Sequence, residues 1–482
     1  MRVLERSMPV STSPWTARWQ SLWGAAFVVG SLTATARIAA LFKDTLVASR
    51  FGSGAELDAF LLALVVPGFM ITVAAGTLPA ALTPTYIALR EREGTGAASD
   101  LARAVFATTY RWLTAAAIAA GVLSLAYGML PGSQLAPATQ DTLPRLAAWL
   151  APYTLVQGMC AAWSGLLAAE RGYAASALAP IAQPIGMALA VLLGDPSHGV
   201  GLLIVGLMGG TLVQGLMLAA ALHSRGLPVF AWRTPPALSP ALRAAIARVR
   251  AQYLPAVAGA MLMSATSVVD LSMAAWLPPG SVSALGFGTK LSAVLMSVGA
   301  IALSTTLLPH LSELVAREDW HAIRVLERRV ARVILASTIP ITVVLIVAAE
   351  PIVRLLFQRG AFTNVETATV ARVQSAYLLQ VPVHLLGILY VRLISSLQAN
   401  RLLTIGSAIN LTVNIALNIV FMRWFGVVGI ALSTAGVYAV SCVFLAVAAH
   451  RRLGLAERDA FARAARPLVS RTSPEVPCAS AA

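Results

Sequence analysis

Long runs of apolar residues alternate with short polar segments along the whole chain. Twelve of these runs can cross a membrane, because a spanning helix needs about 20 predominantly apolar residues. They lie at residues 21–42, 57–82, 104–128, 146–168, 173–194, 199–223, 252–276, 283–308, 331–350, 373–397, 402–421 and 425–449. The runs are continuous, whereas spanning strands alternate apolar and polar positions. The pattern therefore predicts an all-α integral membrane protein with about twelve transmembrane helices.

The second half of the chain repeats the first. The segment DTLVASRFGSGAELDAF, from Asp44, aligns with DLSMAAWLPPGSVSALGF, from Asp270, and LLAAERGYAASA (166–177) aligns with SLQANRLLTIGS (396–407). With six spans in each half, both halves enter the membrane in the same sense. The repeat predicts two parallel six-helix lobes around a central cavity.

The repeat also sets the predicted domain boundaries. They comprise a cytoplasmic N-terminal segment (1–20), an N-lobe with spans one to six (21–225), a basic cytoplasmic linker (226–250), a C-lobe with spans seven to twelve (251–450) and a cytoplasmic polar tail (451–482).

The low fraction of charged residues is typical of a membrane protein, and the positions of the basic residues indicate whether nucleic acid is a partner. Only 11% of the 482 residues are charged, 58% are hydrophobic and the mean hydropathy is +0.77, whereas soluble domains carry about 25% charged residues. The net charge of +15 raises the question of nucleic acid binding. The Lys and Arg residues, however, lie in short connections between the apolar runs, where they report membrane orientation. We therefore expect no nucleic-acid partner.

Charged residues near the spans are the first candidates for function. A charge inside a span costs at least a few kcal/mol and usually faces a cavity or another charge. Arg37 and Lys290 lie more than one turn from the ends of their spans, so we interpret both as cavity-lining. Lys43 can be read as a loop residue and Asp58 as a helix cap. A cavity role is the alternative for both residues.

A second candidate is a polar stripe on the eleventh span. Asn410, Asn414 and Asn418 recur every fourth residue. Asparagine in a membrane helix often forms hydrogen bonds between helices. The alternative interpretation is a cation site formed by Asp270, Asn410 and Asn414. Such a site would couple transport to sodium ions, and coupling to the membrane potential is the other energy source left open.

Motifs of enzymes are missing from the sequence. It contains no Walker loop, no HExxH zinc site and no nucleophile elbow. Cys160, Cys442 and Cys478 are far apart and show no metal-ligand spacing. We therefore expect a transporter with no metal centre and no cofactor.

Several segments resemble one known family. ARIAALFKDTLVASRFGSGAELDAF (36–60) resembles the first-helix signature of the MurJ/MviN family of lipid II flippases. WLPPGSVSALGFGTKL (276–291), LLPHLSEL (307–314) and LFQRGAFTNVETATVA (356–371) resemble its later helices and connections in the same order. The resemblance implies a V-shaped, two-lobed transporter of the multidrug/oligosaccharidyl-lipid/polysaccharide exporter superfamily. It also implies a place in the bacterial cytoplasmic (inner) membrane.

The family's cargo is a polyprenyl diphosphate that carries a saccharide. By position, Arg37 matches a first-helix arginine and Asp58 a second-helix aspartate, while Lys43 and Lys290 each replace an arginine. The resemblance thus implies that these four residues bind substrate. The pocket also departs from the family pattern at several positions. Apolar or small residues replace family arginines and a glutamate at Val65, Ile71, Thr72 and Ala293.

Together these observations predict a flippase for an undecaprenyl-diphosphate-linked saccharide. The cargo is either a lipid II-like peptidoglycan precursor or an exopolysaccharide repeat unit. The expected partners are this lipid, membrane lipids and cell-envelope glycan synthesis proteins. Two alternatives remain, namely a transport-inactive assembly partner derived from the family and a cation-coupled drug antiporter of the same superfamily.

The basic connections predict that both termini lie in the cytoplasm. Starting with the N-terminal segment, every second connection is rich in Lys and Arg, which is typical of cytoplasmic loops. A reporter that is active only in the cytoplasm should therefore be active when fused after Gly454. A silent reporter at this position would indicate an odd number of spans and contradict the parallel repeat.

Overall fold

The computed structural model describes residues 14–127, 137–229 and 239–464, which form α-helices, two short 3-10 helices and turns. In chain order the α-helices are α1 (Pro14–Phe51), α2 (Ala55–Ala74), α3 (Leu78–Tyr127), α4 (Pro137–Ala169), α5 (Tyr173–Leu178), α6 (Ala182–Leu193), α7 (Gly201–His223), α8 (Pro240–Ala274), α9 (Ser281–Ala316), α10 (Trp320–Val347), α11 (Ala349–Phe357), α12 (Asn364–Leu378), α13 (Gln380–Ser396), α14 (Arg401–Phe425) and α15 (Val427–Ala464). No strand occurs in these ranges, which confirms the predicted all-α class.

The described helices account for twelve spans. Nine helical segments in the described ranges are long and apolar enough to cross a membrane. The first, Ala55–Val122, is 68 residues long and contains α2 and most of α3, so it covers two predicted spans. A kink at Gly94, whose φ is 88°, separates these spans. Helices α1 and α4 supply the first and fourth spans. The predicted number of spans is therefore confirmed.

Helix α1 is longer than its predicted span. It runs without a break to Phe51, because residues 38–51 contain neither Gly nor Pro. It ends at Gly52, whose φ of 62° is the left-handed conformation that commonly terminates helices. Lys43 is therefore a helical residue two turns from the end of α1, and its interpretation as a loop residue is wrong.

Each half of the chain packs mainly on itself. In the N-lobe, α4 packs on α2 and α3, and α6 packs on α7. In the C-lobe, α9 packs on α12 and α13, and α15 packs on α13 and α14. Each lobe therefore has a helical core of its own, one centred on residues such as Phe106 and Leu166, the other on Leu311 and Leu389. A third buried core, which includes Phe60, is shared between the lobes.

Helix α8 connects the two lobes. Its first turns bury Leu242, Ala245 and Val249 in the N-lobe core, and its later part packs on α14 of the C-lobe. Residues 240–250, which the sequence assigns to a basic linker, are thus the start of this helix. Of the predicted tail, residues 451–464 continue α15, and the rest lies outside the described residues.

Glycines permit very close packing of α6 on α7. A Cβ atom on Gly206 would lie 2.6 Å from the Cα of Met187, and one on Gly210 would lie 2.6 Å from the carbonyl oxygen of Ala182. Gly209, on the same helix, would meet no atom within 4 Å. The two helices therefore touch through their backbones along one side of α7 and separate along the other, as small-residue packing in membranes allows.

This difference predicts opposite results for two leucine substitutions. Gly206→Leu should lower the free energy of unfolding by about 1–3 kcal/mol, because the side chain overpacks the contact with α6. Gly209→Leu should leave it unchanged or raise it slightly, because leucine has the better helix propensity. The melting temperatures of the two purified variants in detergent test this. Equal losses would contradict the packing described here.

Candidate functional site

The two lobes are joined at one end of the molecule, in a region we call the latch. It consists of residues 49–58 of the N-lobe and residues 280–283 and 361–366 of the C-lobe. The backbone N–H of Ala361 donates to the carbonyl oxygen of Ser49 at 2.7 Å. Ser53 Oγ donates to the carbonyl oxygen of Gly280 at 2.9 Å. The latch therefore closes this end through main-chain groups as well as side chains.

Asp58 provides the central contact of the latch. Its Oδ2 accepts the N–H of Gly280 and its Oδ1 accepts the N–H of Ser283, both at 2.7 Å. These amides lie at the start of α9, where N–H groups lack partners within the helix and the helix dipole favours a negative charge. Asp58 is only 4% exposed. It thus acts as a helix cap, as one sequence interpretation held, but it caps a helix of the other lobe.

Glu366 makes a second side-chain contact across the latch. One carboxylate oxygen accepts the N–H of Ser53, in the N-lobe. The other accepts the N–H of Thr363 at 2.5 Å, and Thr363 Oγ1 in turn accepts the N–H of Glu366, which completes a capping box at the start of α12. One side chain therefore both starts α12 and holds the opposite lobe.

Two glycines with positive φ allow the lobes to approach this closely. Gly280 has φ 92°, and a Cβ atom there would lie 2.5 Å from the carbonyl oxygen of Ser53. Gly360 has φ 58°, and its Cβ atom would lie 2.2 Å from the carbonyl oxygen of Ser49. Any other residue would be strained in this backbone conformation and would push the lobes apart.

A cluster of three charged side chains bridges the lobes near the latch. Lys290 Nζ of α9 lies 2.8 Å from Asp44 Oδ2 of α1, and Lys43 Nζ bonds the other oxygen of the same carboxylate. Asp44 is buried, whereas the side chain of Lys290 is 41% exposed. The structure thus brings together two of the predicted substrate-binding residues, Lys43 and Lys290, and adds Asp44, which was not among the predicted site residues.

Arg37 lies on α1 two turns from Asp44, about 10 Å away along the helix axis. Its side chain is exposed and forms no ion pair with a described residue. It therefore lies outside the charge cluster, on the side away from the latch. Of the four predicted substrate-binding residues, Lys43 and Lys290 meet, Arg37 stands apart and Asp58 belongs to the latch.

The cluster carries one net positive charge, because one carboxylate faces two ammonium groups. In a membrane interior, an unpaired buried charge is costly, so each lysine benefits from Asp44 while no other anion is present. An anion that enters between the lobes meets ammonium groups that are already oriented, and Arg37 adds a third cation nearby. The arrangement can thus exchange an internal carboxylate for an external anionic group.

The predicted cation site is a hydrogen-bonded cluster around Asp270 in the C-lobe. Asp270 Oδ1 accepts hydrogen bonds from the Nδ2 atoms of Asn414 and Asn418, at 2.9 and 2.7 Å, and Oδ2 accepts one from Thr434 Oγ1 at 3.3 Å. Asn410 is not in this cluster, since it donates to Ser441 Oγ at 3.1 Å. The structure therefore supplies Asn418 and Thr434 in place of the predicted Asn410.

The oxygen atoms of this cluster suit a hard monovalent cation as ligands. Its carboxylate, amide and hydroxyl oxygens are the atom types that hard cations prefer. Asn418 Oδ1 also accepts a hydrogen bond from Ser433 Oγ. Asp270 is 9% exposed, and Asn414 and Asn418 are almost fully buried. Within the described residues, no group of three His, Cys, Asp or Glu side chains is arranged to hold a transition metal.

Sequence signals existed for most of the site residues that were not predicted. Asp44 and Asp270 begin the two aligned repeat segments, so their equivalence was visible. Asn418 continued the spacing of Asn410 and Asn414, and only the helix rotation decided which two of the three reach Asp270. Gly280 follows two prolines and Gly360 follows two polar residues, and these short segments marked the latch backbone. Thr434 had no distinguishing signal.

Comparisons with known proteins agree with this architecture. A solved structure described as "Lipid II flippase MurJ, inward closed conformation" has a TM-score of 0.71 and 20% identity, covering 90% of this chain and 91% of that one. An inward-facing multidrug resistance MATE family transporter has a TM-score of 0.70 and 12% identity, covering 90% and 99%. At these identities both likenesses show the fold alone.

Sequence relatives point to the family. A probable lipid II flippase MurJ from Rhizobium meliloti is 26% identical, over 84% of this chain and 76% of its own length. Another from Synechocystis sp. is 25% identical, over 90% and 82%. The family model described as lipid II flippase MurJ matches residues 47–472. Because this match covers most of the sequence, the chain belongs to the MurJ family of lipid II flippases.

Proposed function

We propose that this protein moves a polyprenyl-diphosphate-linked saccharide across the bacterial inner membrane by alternating access between its two lobes. The observation that carries the proposal is the bridge from Lys290 of α9 to Asp44 of α1, with Lys43 on the same carboxylate. A lipid diphosphate must lose water to cross, and oriented cations offset that cost. We propose lipid II as the cargo, because the relatives are named as lipid II flippases.

The proposed cycle starts with the latch closed and the cytoplasmic side accessible. This assignment combines the predicted cytoplasmic termini with a latch that lies at the opposite end of α1 from the N-terminus. The diphosphate displaces Asp44 from Lys43 and Lys290, and Arg37 lies on the path toward them. Release on the outer side then requires the bonds from Asp58 to α9 to break. The headgroup thus breaks one of the interlobe contacts, and the bonds of Asp58 are left to break when the outer side opens.

The antiporter alternative shares the fold but explains the charges less well. A carrier of organic cations would have to place its cargo next to Lys43, Lys290 and Arg37, all of the same sign as the cargo. Like charges in a low-dielectric site repel strongly. The assembly-partner alternative has no feature of the described residues in its favour. Proteins of cell-envelope glycan synthesis remain proposed partners.

Energy coupling belongs to the same proposal. The oxygen-rich cluster around Asp270 supports sodium binding, with Asn414, Asn418 and Thr434 as further ligands. Helices α8, α14 and α15 meet there, and α8 also packs on the N-lobe. Sodium bound to the C-lobe would therefore act on the helix that connects the lobes.

Removal of the basic side chains proposed to bind the diphosphate should impair transport. Arg37→Ala and Lys290→Ala should each lower transport about tenfold or more, because a charge-assisted contact to the diphosphate is lost. Arg37→Lys and Lys290→Arg should retain more activity. Complementation of a strain depleted of its own flippase, with membrane protein levels measured by blot, tests this. Arg103→Ala, which removes an exposed ion pair with Asp100, is the control.

A double variant separates an effect on transport from an effect on folding. Lys290→Ala leaves the buried Asp44 carboxylate with one partner, which by itself destabilises the fold. Asp44→Asn in the Lys290→Ala background should restore protein levels without restoring transport. Normal complementation by this double variant, or by the Arg37→Ala, Lys290→Ala variant, would show that the cations do not bind cargo.

Sodium should stabilise the folded protein through the Asp270 cluster. Sodium chloride should raise the melting temperature of the wild-type protein relative to potassium chloride at equal ionic strength, because bound ligand stabilises the folded state. Asp270→Asn removes the carboxylate and should abolish this difference, whereas Asp100→Asn should keep it. No difference between the salts in the wild type, or the same difference in Asp270→Asn, would contradict a sodium site here.

A further inference from the structure

A cavity opens on the N-lobe at the latch end, away from the charge cluster. Its volume is about 510 Å³, and it lies between α4, the start of α2 and the start of α7. Three ionisable side chains, Glu56, Arg145 and His198, line it together with the indole of Trp149. The cavity therefore presents a carboxylate, a guanidinium and an imidazole beside an aromatic ring.

These charges are available to a ligand. Glu56 and Arg145 are exposed, and neither forms an ion pair with another described residue. Exposed charges usually interact with water, but here they share a concave site whose remaining wall is apolar, with residues such as Leu146, Leu202 and Val205. A ligand that carries both charges on an apolar body fits this mixture.

An apolar groove continues from this cavity. A second cavity of about 540 Å³ lies between α6 and α7, and Val205 lines both. Its walls include Ile185, Leu189 and Met217, whose side chains are exposed, and its floor includes Gly209. Described residues contribute no ionisable side chain to it. The groove therefore suits a hydrocarbon chain and faces the membrane.

The length of the groove matches one leaflet. Val205 and Met217 are twelve residues apart on α7, or about 18 Å along the helix axis. Half of the hydrocarbon core of a bilayer is about 15 Å. An acyl chain that starts at the charged cavity can therefore follow α7 to the middle of the membrane.

We propose that the two connected cavities bind a zwitterionic phospholipid from the leaflet on the latch side. The ammonium group of its headgroup pairs with Glu56, and its phosphate pairs with Arg145 and His198. One acyl chain lies in the groove between α6 and α7. Trp149 lies at the depth of the headgroup, where tryptophan is enriched in membrane proteins.

The mixed charge selects the headgroup. An anionic phospholipid also offers a phosphate to Arg145, but it brings no cation to Glu56 and leaves that carboxylate next to a negative ligand. A zwitterionic headgroup satisfies both. The site also lies against the latch, because Ala59, which lines the cavity, directly follows Asp58. Bound lipid would thus hold together the first turns of α2 and α7 and residues 145–149 of α4 beside the closed end.

The test compares lipids retained by the full-length purified protein. The protein is incubated with equal amounts of phosphatidylethanolamine and phosphatidylglycerol in detergent, and bound lipid is counted by native mass spectrometry. The wild type should retain about fivefold more phosphatidylethanolamine, as expected for one partly exposed charge pair. Glu56→Lys should reverse the preference, because the cavity then carries cations only. Arg103→Gln, on an exposed ion pair elsewhere, should keep the wild-type preference.

A second variant tests the groove. Gly209→Leu places a side chain on the groove floor, where a Cβ atom meets nothing within 4 Å, and should reduce bound lipid about fivefold at an unchanged melting temperature. Gly387→Leu in the C-lobe, which also has free space, is its control and should bind lipid normally. Equal retention of the two lipids by the wild type would overturn the proposal. An unchanged preference in Glu56→Lys, or unchanged binding in Gly209→Leu, would also overturn it.

Discussion

The carboxylate of Asp58 accepts the first free N–H groups of α9, and the closed arrangement of the two lobes depends on this contact. A helix start at the edge of a membrane has unpaired amides, and leaving them or a buried carboxylate without partners costs several kcal/mol. Because donor and acceptor come from different lobes, each lobe supplies hydrogen-bond partners that the other lacks. The cost of separating them is moderate, since water replaces the bonds once the end opens. Such a contact suits a gate that must open and close.

A cluster of three charged side chains lies close to this gate. Lys43 and Lys290 share the carboxylate of Asp44, so the lobes are joined twice, by a cap at the latch and by the Lys290–Asp44 ion pair about two to three turns farther along α9. Internal neutralisation allows three charges to remain inside a membrane protein without cargo. It also makes the contacts sensitive to an anion, because a diphosphate competes for the lysines and releases the carboxylate. Substrate binding thereby breaks one of the two contacts that hold the lobes together.

The internal repeat places two aspartates at equivalent positions in surroundings that differ. Asp44 and Asp270 begin aligned segments of the two lobes, and each lies near the end of the first helix of its lobe. Asp44 meets ammonium groups and faces the opposite lobe. Asp270 meets amide and hydroxyl groups within its own lobe and is surrounded by α14 and α15. The first environment suits exchange with an anion, and the second suits a bound cation.

The sequence by itself determined the class of fold, the number of spans and the family. Continuous apolar runs have few ways to satisfy their backbone in a membrane, and helices are the one that fits this pattern. It also singled out Arg37 and Lys290 as candidate site residues, because charges inside spans are costly and therefore conspicuous. Lys43 became a candidate through the family resemblance. Contacts between lobes were decided only by the tertiary structure. Asp58 looked like the cap of its own helix, since the amides it binds are more than 200 residues away in sequence. Asn410 and Asn418 were equivalent by spacing, and the rotation of α14 selected Asn418, because long-range packing and not local pattern fixes which face of a helix meets a neighbour.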